Sequence, residues 1–512
     1  MLHHGATTRL ILPTGLSREI TVSFSFRQGD NIAGDLFCLN QEPLLRQLRK
    51  KIKGLQVSNF IQKDEAYMDD IQFLSSNEED LVTFNRVFQQ FEVQSGAMLC
   101  RDRKSKVMGL GQWQGKQDWP LDWIQSVQVM KVLGFQVCPQ YSDTLRCTWE
   151  AVFKGFRSRL FSWESRALNT LQQRVDVSKT FALSKLWYVA QVLPLPTDVL
   201  RNIESALSSF IFKGRHERLK LEEIENSVEE GGLGLTCVAT KAECLLLRQS
   251  LRILTRTEEN CFHHIGYWLG HFLEEPFPAL KDQGPVLTVS QQRTFPLHQA
   301  MLIPLQEGLM RQEYDPKKLS EASTKKIYEG RAAYVIPPPK VQEKCPEIDF
   351  PALVFPRLCY KMLESEPQDV LFSLVHNIVY NREKMFLQGR LQDPFCPLPE
   401  CQGKVQDREH IFCSCFQVAQ AWVWLRSRLL QLLPTTVGAA GISNEDFLLL
   451  QFPLDTMDRE CVWLIGNFCD IVNNSVRGRQ CKIGADQLAG RIRARLTKLR
   501  ERAVVQPNLY NI

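Results

Sequence analysis

The stretch KGFRSRLFSWESRALNTLQQRVDVSKTFALSKLWYVAQVL, residues 154–193, repeats its apolar residues at spacings of three and four. This periodicity predicts amphipathic helices. From 141 to about 335 the pattern is interrupted mainly by the prolines of LPLP at 193–196 and the glycines of EEGGLGL at 229–235. Before residue 140, short strand-like runs alternate with helical ones, and we expect helices from Ile32 to Lys53 and from Asp80 to Phe91. We therefore expect an α+β protein that is predominantly helical.

The composition of the 512-residue chain excludes several classes of protein. Hydrophobic residues make up 44% and charged residues 23%, which is typical of globular domains. No apolar run reaches the roughly 18 residues that a membrane-spanning helix needs, and the first residues, MLHHGATTRLILPTGLSREI, do not resemble a secretory signal. The 16 cysteines are scattered, as reduced thiols are. We expect a protein of the nucleus and cytoplasm that is neither secreted nor bound to membranes.

Basic charge is concentrated in residues 151–220, which hold 12 Lys and Arg against 5 Asp and Glu, although the formal net charge of the whole chain is only +5. Cations and aromatic rings that alternate on helices can follow a phosphate backbone and pack against sugars or bases. An ordinary solvated helix face above a core of aromatic residues would give the same pattern. The candidate nucleic-acid contacts are Lys154, Arg157, Arg159 and Arg166, interleaved with Phe153, Phe156, Phe161 and Trp163.

A second basic segment, residues 477–502, holds 9 basic and 2 acidic residues. Leu488, Ile492, Leu496 and Leu499 follow one another at spacings of four, four and three, which predicts an amphipathic helix with a basic face. Nucleic acid, an acidic partner or a membrane surface would each fit such a face.

The sequence EAYMDDIQFL, residues 65–74, places two aspartates between apolar strand-forming runs. It predicts a hairpin with Asp69 and Asp70 at its tip. Adjacent carboxylates repel each other, and a divalent cation such as Mg²⁺ relieves that repulsion. Two-metal phosphoryl transfer uses this arrangement. A lone pair of aspartates is also typical of an ordinary exposed acidic turn.

The cysteine-rich segment FCPLPECQGKVQDREHIFCSCFQVAQAWVW, residues 395–424, contains Cys396 and Cys401 and then, after eight intervening residues, His410 and Cys415. Two close pairs of thiolate and imidazole ligands suit tetrahedral Zn²⁺. Cys413 is an alternative to Cys415, because spacing alone does not distinguish the two. Reduced cysteines beside an ordinary histidine remain the competing interpretation.

Four segments occur in an order that resembles one family. They are FRQGDNIAGDLF at 26–37, AYMDDI at 66–71, FEVQSGAMLCRDRKSK at 91–106 and VMKVLGFQV at 129–137. Together they resemble the reverse-transcriptase polyprotein of non-long-terminal-repeat retrotransposons, the long interspersed elements. The resemblance continues through LSKLWYVAQVLPLP at 183–196, FIFKGRHERLKLEEIENSVEEGGLGL at 210–235 and the cysteine cluster, so it covers most of the chain.

The resemblance implies roles for individual residues. The RQG element would line the template and nucleotide pocket, the YxDD turn would bind Mg²⁺ or Mn²⁺, and the LG turn would hold the primer end. A lysine after the Ser95–Gly96 pair would contact the incoming triphosphate. The implied catalytic residues are Asp69, Asp70 and Lys104, and the implied nucleic-acid or nucleotide contacts are Arg27, Gln28, Gly29, Tyr67, Met68, Leu133 and Gly134. The cysteine cluster would bind zinc, with element RNA or target DNA as its partner.

The same resemblance implies a domain order. The expected parts are a partial palm at 1–140, a helical thumb at 141–240, a helical connector at 241–334, a proline-rich linker at 335–351, a helical segment with the zinc-binding CCHC loop at 352–440, and C-terminal helices with a basic tail at 441–512.

One departure from the family bears on activity. The family has a further catalytic aspartate on a strand upstream of the RQG element, whereas the 26 residues before Arg27 contain no Asp. A two-metal site that lacks one carboxylate stabilises its transition state weakly. From the sequence we expect a fragment of an RNA-directed DNA polymerase that binds an RNA template and a DNA primer or target but has little or no activity alone. The alternative is a non-catalytic, zinc-stabilised RNA- or DNA-binding module retained by the host.

Overall fold

The computed structural model describes most of the chain. The described residues are 7–9, 11–12, 15–21, 33–57, 60–67, 70–101, 105–214, 219–257, 260–273, 300–301, 321–344, 346, 348–360, 362–432, 442–452, 458–479, 486–487, 490–495 and 497–498. The chain divides into two compact units. Unit 1 comprises residues 1–150 and 246–321, and unit 2 comprises residues 151–245 and 322–512.

The described strands lie in unit 1, where they form two-stranded sheets. Antiparallel pairs join Thr7–Thr8 to Ile20–Thr21, Ile11–Leu12 to Gly15–Leu16, Leu55–Val57 to Phe60–Gln62, Asp64–Tyr67 to Asp70–Phe73, and Met130–Val132 to Phe135–Val137. Lys106–Val107 and Gln125–Ser126 pair in parallel. The helices that lie in this unit or enter it are Ala33–Lys51, Glu79–Ser95, Tyr141–Glu164, Val238–Leu254 and Asn260–Leu273.

The core of unit 1 lies between its first two helices. Leu44 and Leu48 of the first helix are buried with Val87 and Phe88 of the second. Apolar residues of the 64–73 hairpin pack against this cluster. Buried Asp80, near the start of the second helix, joins it to the chain that follows the first helix. Its carboxylate accepts hydrogen bonds from the backbone N–H groups of residues 53 and 54, both at 2.9 Å. The hairpin that carries the acidic turn is therefore anchored on a packed pair of helices.

In the described residues of unit 2 the regular secondary structure is helical, apart from one isolated bridge between Phe395 and Val405. Besides the ends of Tyr141–Glu164 and Val238–Leu254, its helices are Leu171–Val177, Ser184–Ala190, Thr197–Ile211, Leu221–Glu225, Thr324–Val335, Lys340–Lys344, Phe355–Leu358, Ser365–Val375, Arg382–Leu387, Ala419–Leu432, Asn444–Leu448 and Asp458–Arg479. Wider π-type turns occupy Ser178–Leu183, Phe350–Val354 and His410–Ser414, and Pro399–Cys401 is a 3₁₀ turn.

The core of unit 2 is built on the Asp458–Arg479 helix, which packs against Ser365–Val375 and Ala419–Leu432. Trp422 of the Ala419–Leu432 helix is buried and its ring centre lies 5.5 Å from that of Phe468. Because the Ala419–Leu432 helix begins within the cysteine-rich segment, four residues after Cys415, this packing fixes one end of that segment in the core.

One buried arginine also joins distant parts of unit 2. The Arg357 side chain is fully buried, donates hydrogen bonds to the carbonyls of Leu450 and Phe452, the latter at 2.7 Å, and lies 4.2 Å from the centre of the Phe452 ring. Two backbone carbonyls and an aromatic face thus replace the water that the guanidinium loses.

The prediction of a predominantly helical α+β protein is confirmed. Within the 335–351 segment, the short helix Lys340–Lys344 begins immediately after three consecutive prolines. The domain order itself stays a prediction. No described helix is long and apolar enough to cross a membrane.

Candidate metal centre and nucleic-acid contacts

The first half of the candidate metal centre is a tight loop that carries Cys396 and Cys401. The bridge between Phe395 and Val405 brings its two ends together, and the Cys396 N–H donates to the Lys404 carbonyl at 2.8 Å. The loop then turns through Pro399–Cys401 and through Gln402, which adopts the left-handed conformation at φ 51°. This geometry directs both thiols into one small volume.

The second half is the turn His410–Ser414 and the residue after it. Asp407 begins this turn, because its carboxylate accepts a hydrogen bond from the His410 N–H at 2.7 Å. The Cys415 N–H donates to the His410 carbonyl at 2.8 Å, and the Cys415 carbonyl accepts from residues 418 and 419 at the start of the next helix. The ligand pair is therefore held between a turn and a helix N-terminus.

The four side chains converge. The ligand atoms of Cys396, Cys401, His410 and Cys415 all lie within 4.8 Å of one another, and all four residues are buried. The sulfurs of Cys401 and Cys415 are 3.8 Å apart. That is far longer than a disulfide bond of about 2.05 Å, and it matches the roughly 3.8 Å between two corners of a tetrahedron with Zn–S bonds of about 2.3 Å.

The histidine has a nitrogen available for a metal. Ser414 Oγ lies 3.3 Å from His410 Nδ1. Nε2 is buried and has no hydrogen-bond partner among the described residues. A buried polar atom without a partner is costly, and a metal bond at Nε2 would satisfy it. Burial lowers the pKa of His410, so the imidazole is neutral at pH 7, as a metal ligand must be.

Burial has the opposite effect on the thiols. It raises the pKa of Cys396 and raises that of Cys415 to about 12. Backbone N–H groups of residues 398 and 417 donate to these two sulfurs and partly offset the effect. A cation would reverse it, because a metal binds thiolates and displaces their protons. The residues present therefore fit a metal such as zinc.

The structure also separates the two alternative cysteines. Cys415 belongs to the group of four, whereas Cys413 does not. Cys413 is buried in a different environment, where desolvation and nearby Cys469 raise the pKa of its thiol. Four protein ligands with no open position are typical of structural metal sites rather than catalytic ones.

The structure describes only part of the predicted polymerase site. Arg27, Gln28, Gly29, Met68, Asp69 and Lys104 lie outside the described residues. Tyr67 and Asp70 are exposed and face each other across the hairpin, as the last and first residues of its strands. Leu133 and Gly134 form the turn of another hairpin, with φ angles of 45° and 93°.

The predicted Mg²⁺ site gains no support. Within the described part of the chain, Cys396, Cys401, His410 and Cys415 form the one group of three or more metal-ligating side chains, so Asp70 has no cluster of carboxylates around it there. Asp64, at the opposite end of the same hairpin, forms an ion pair with Arg49 at 2.8 Å.

The basic residues of the predicted thumb divide into two kinds. Lys154, Arg157, Arg159 and Arg166 are all exposed, and none forms an ion pair with a described residue. Arg174, another basic residue of the 154–193 stretch, is instead buried and donates to the carbonyls of residues 168, 169 and 211. Its guanidinium group joins three chain segments through these hydrogen bonds, so this positive charge lies inside the protein and not at the surface.

The aromatic residues divide in the same way. Phe156 is fully buried, whereas Phe161 is exposed. Trp163 stacks on Phe181, a residue that sequence reasoning did not select. The π-type turn around Phe181 leaves no recognisable spacing in the sequence, so only the structure reveals this contact.

The second basic segment is partly internal. Arg495 donates to Asp470 at 2.6 Å and to Asn467 at 2.8 Å, and the side chain of Asp470 is buried. Ile492 is buried, while Leu488, Leu496 and Leu499 lie outside the described residues. At least one cation of this segment, Arg495, therefore forms an ion pair with a buried carboxylate of unit 2.

Comparison with known proteins supports a transposon relationship. No protein-family model matches the chain. The chain is similar to the Transposon TX1 uncharacterized 149 kDa protein of Xenopus laevis, with 26% identity over 256 residues. The match covers 47% of this chain and 18% of that relative, so the chain spans less than a fifth of the transposon protein it matches.

Proposed function

We propose that this chain derives from a retrotransposon polyprotein of the reverse-transcriptase type and binds nucleic acid. The observation that carries the proposal is the set of exposed cations at Lys154, Arg157, Arg159 and Arg166, which form no ion pair with a described residue. Exposed cations with no protein carboxylate to neutralise them are the groups that phosphates recruit. The similarity to a transposon protein supports the same origin.

The partners in this proposal are an RNA template and a DNA primer or target, in the nucleus and cytoplasm. A zinc ion held by Cys396, Cys401, His410 and Cys415 would stabilise unit 2 without taking part in chemistry. Since the Ala419–Leu432 helix starts directly after the last ligand, the metal would fix that helix to its loop.

Salt-dependent binding tests the proposal. We expect single-stranded RNA to bind with an affinity that falls linearly on a logarithmic salt scale. Replacing Lys154, Arg157 and Arg159 with Gln removes up to three phosphate contacts and should lower the slope by about 2, at about 0.7 per contact. The matched control replaces Lys325, Lys326 and Lys340, exposed basic residues of the same unit, with Gln. Equal losses in the two triple variants would contradict a defined nucleic-acid surface.

Polymerase activity is a separate question, and primer extension on a homopolymer RNA template with Mg²⁺ or Mn²⁺ addresses it. Product that disappears in Asp69→Asn would establish a catalytic site at the acidic turn. The alternative, a non-catalytic zinc-stabilised binding module, is favoured by the presence of one described ligand group of the structural kind. Absence of product together with salt-sensitive RNA binding would support that alternative.

A further inference from the structure

Unit 2 carries an aromatic stack beside a cation. The rings of Trp163 and Phe181 stack with their centres 4.8 Å apart and their planes inclined by 30°. The guanidinium of Arg166 lies 4.3 Å from the centre of the Trp163 ring. Trp163 is near the end of the Tyr141–Glu164 helix, and Arg166 lies in the turn that follows it.

The π-type turn Ser178–Leu183 presents one ring of this stack to solvent. Ser178 and Leu183 are buried in unit 2, while Phe181 between them is 44% exposed. Wide turns of this kind often occur at functional sites. Tyr188, on the next helix, is 53% exposed, and exposed Lys185 lies between the two aromatic residues in sequence. The result is an exposed, partly aromatic surface with its own positive charges.

The chemistry of this surface selects its ligand. Aromatic faces stack with nucleobases, and neighbouring arginines and lysines attract the phosphates that connect them. A duplex hides the faces of its bases within its own stack, whereas a single strand leaves them available. We propose that Phe181, Trp163 and Arg166 form a base-stacking platform for single-stranded nucleic acid.

This inference rests on the proposed nucleic-acid binding and specifies the form of the ligand. The test compares a single-stranded DNA of about 12 nucleotides with the same strand carrying abasic residues, by fluorescence anisotropy. An abasic strand keeps the phosphates and loses the stacking partners. A second readout places 2-aminopurine in the intact strand, because its fluorescence is quenched when it stacks on an aromatic ring.

The variants are Phe181→Ala and Phe181→Leu, and the control is Phe386→Ala. Leucine keeps an apolar side chain but has no ring face, so it separates stacking from a loss of packing. Phe386 is 41% exposed in the same unit and lies outside the stack. Both Phe181 variants should bind the intact strand at least about fivefold more weakly, which is the lower end of the stacking range. They should bind the abasic strand like the wild type and lose the 2-aminopurine quenching.

Three results would overturn the platform while leaving the proposed function intact. The first is a Phe181 variant that binds the intact strand as tightly as the wild type and Phe386→Ala do. The second is equal weakening for the intact and the abasic strand, and the third is a wild-type preference for duplex. A wild-type protein that binds none of the strands, or that binds them with an affinity independent of salt, would instead refute the proposed function itself.

Discussion

The metal centre gives a sharp prediction, because two buried cysteines only two residues apart are assigned different roles. Cys415→Ala removes a ligand from the group of four, whereas Cys413→Ala removes an equally buried thiol from outside it. Zinc contributes about 10–16 kcal/mol in small structural sites. Loss of one ligand in four should therefore cost about 3 kcal/mol, or on the order of 100-fold in zinc affinity. Cys413→Ala should cost stability alone, about 1–2 kcal/mol.

The assay is a chelator competition that measures zinc affinity, followed by cobalt substitution. Tetrahedral cobalt with three thiolate ligands absorbs in the near ultraviolet, and loss of one thiolate should lower that absorbance by about a third. Cys415→His supplies a replacement ligand and should recover much of the affinity. Zinc lost in Cys413→Ala but kept in Cys415→Ala would refute the assignment, and zinc kept in both would refute the site.

Three further predictions concern pH, a buried charge and a glycine. Because burial raises the pKa of Cys396 and of Cys415, zinc binding at pH 7 should release at least two protons. The zinc affinity should then rise by about 100-fold per pH unit near pH 7. Calorimetry in two buffers of different ionisation enthalpy counts the released protons. Arg357→Ala leaves two buried carbonyls without a donor and should lower the free energy of unfolding of unit 2 by about 3 kcal/mol or more; an unchanged denaturation midpoint would contradict the assigned role. Gly231 has a φ of +83°, and the Cβ atom of an alanine there would lie 2.5 Å from the Phe355 ring. Gly214 has a φ of +62°, and a Cβ atom there would meet nothing within 4 Å. Both should lose about 1–2 kcal/mol to backbone strain, and thermal unfolding should show an additional loss only for Gly231→Ala.

The glycine comparison separates two effects that usually occur together. Gly214 reports the cost of a left-handed backbone for a residue with a side chain, and Gly231 adds the clash with Phe355, a fully buried ring of the unit 2 core. The EEGGLGL turn, which interrupts the helical pattern at 229–235, is thus both a turn of the chain and a close-packing position.

Much of the fold was predictable because helix periods and turn signals are local. The 3.6-residue spacing identified the helices Ala33–Lys51 and Glu79–Ser95 to within a few residues. The apolar strand-forming runs on either side of the aspartates identified the hairpin, in which Tyr67 pairs with Asp70. Ligand spacing likewise identified both halves of the metal centre, since each pair of ligands is carried by one short turn.

The sequence by itself determined which residues are candidate metal ligands and which local elements hold them. Only the tertiary structure decided that Cys415 rather than Cys413 joins the ligand group, that Arg174 is buried, and that Phe181 stacks on Trp163. The physical reason is the same in each case. A contact between residues far apart in the chain, or the direction of a side chain in an irregular turn, depends on how the surrounding segments pack, and neither leaves a local period in the sequence.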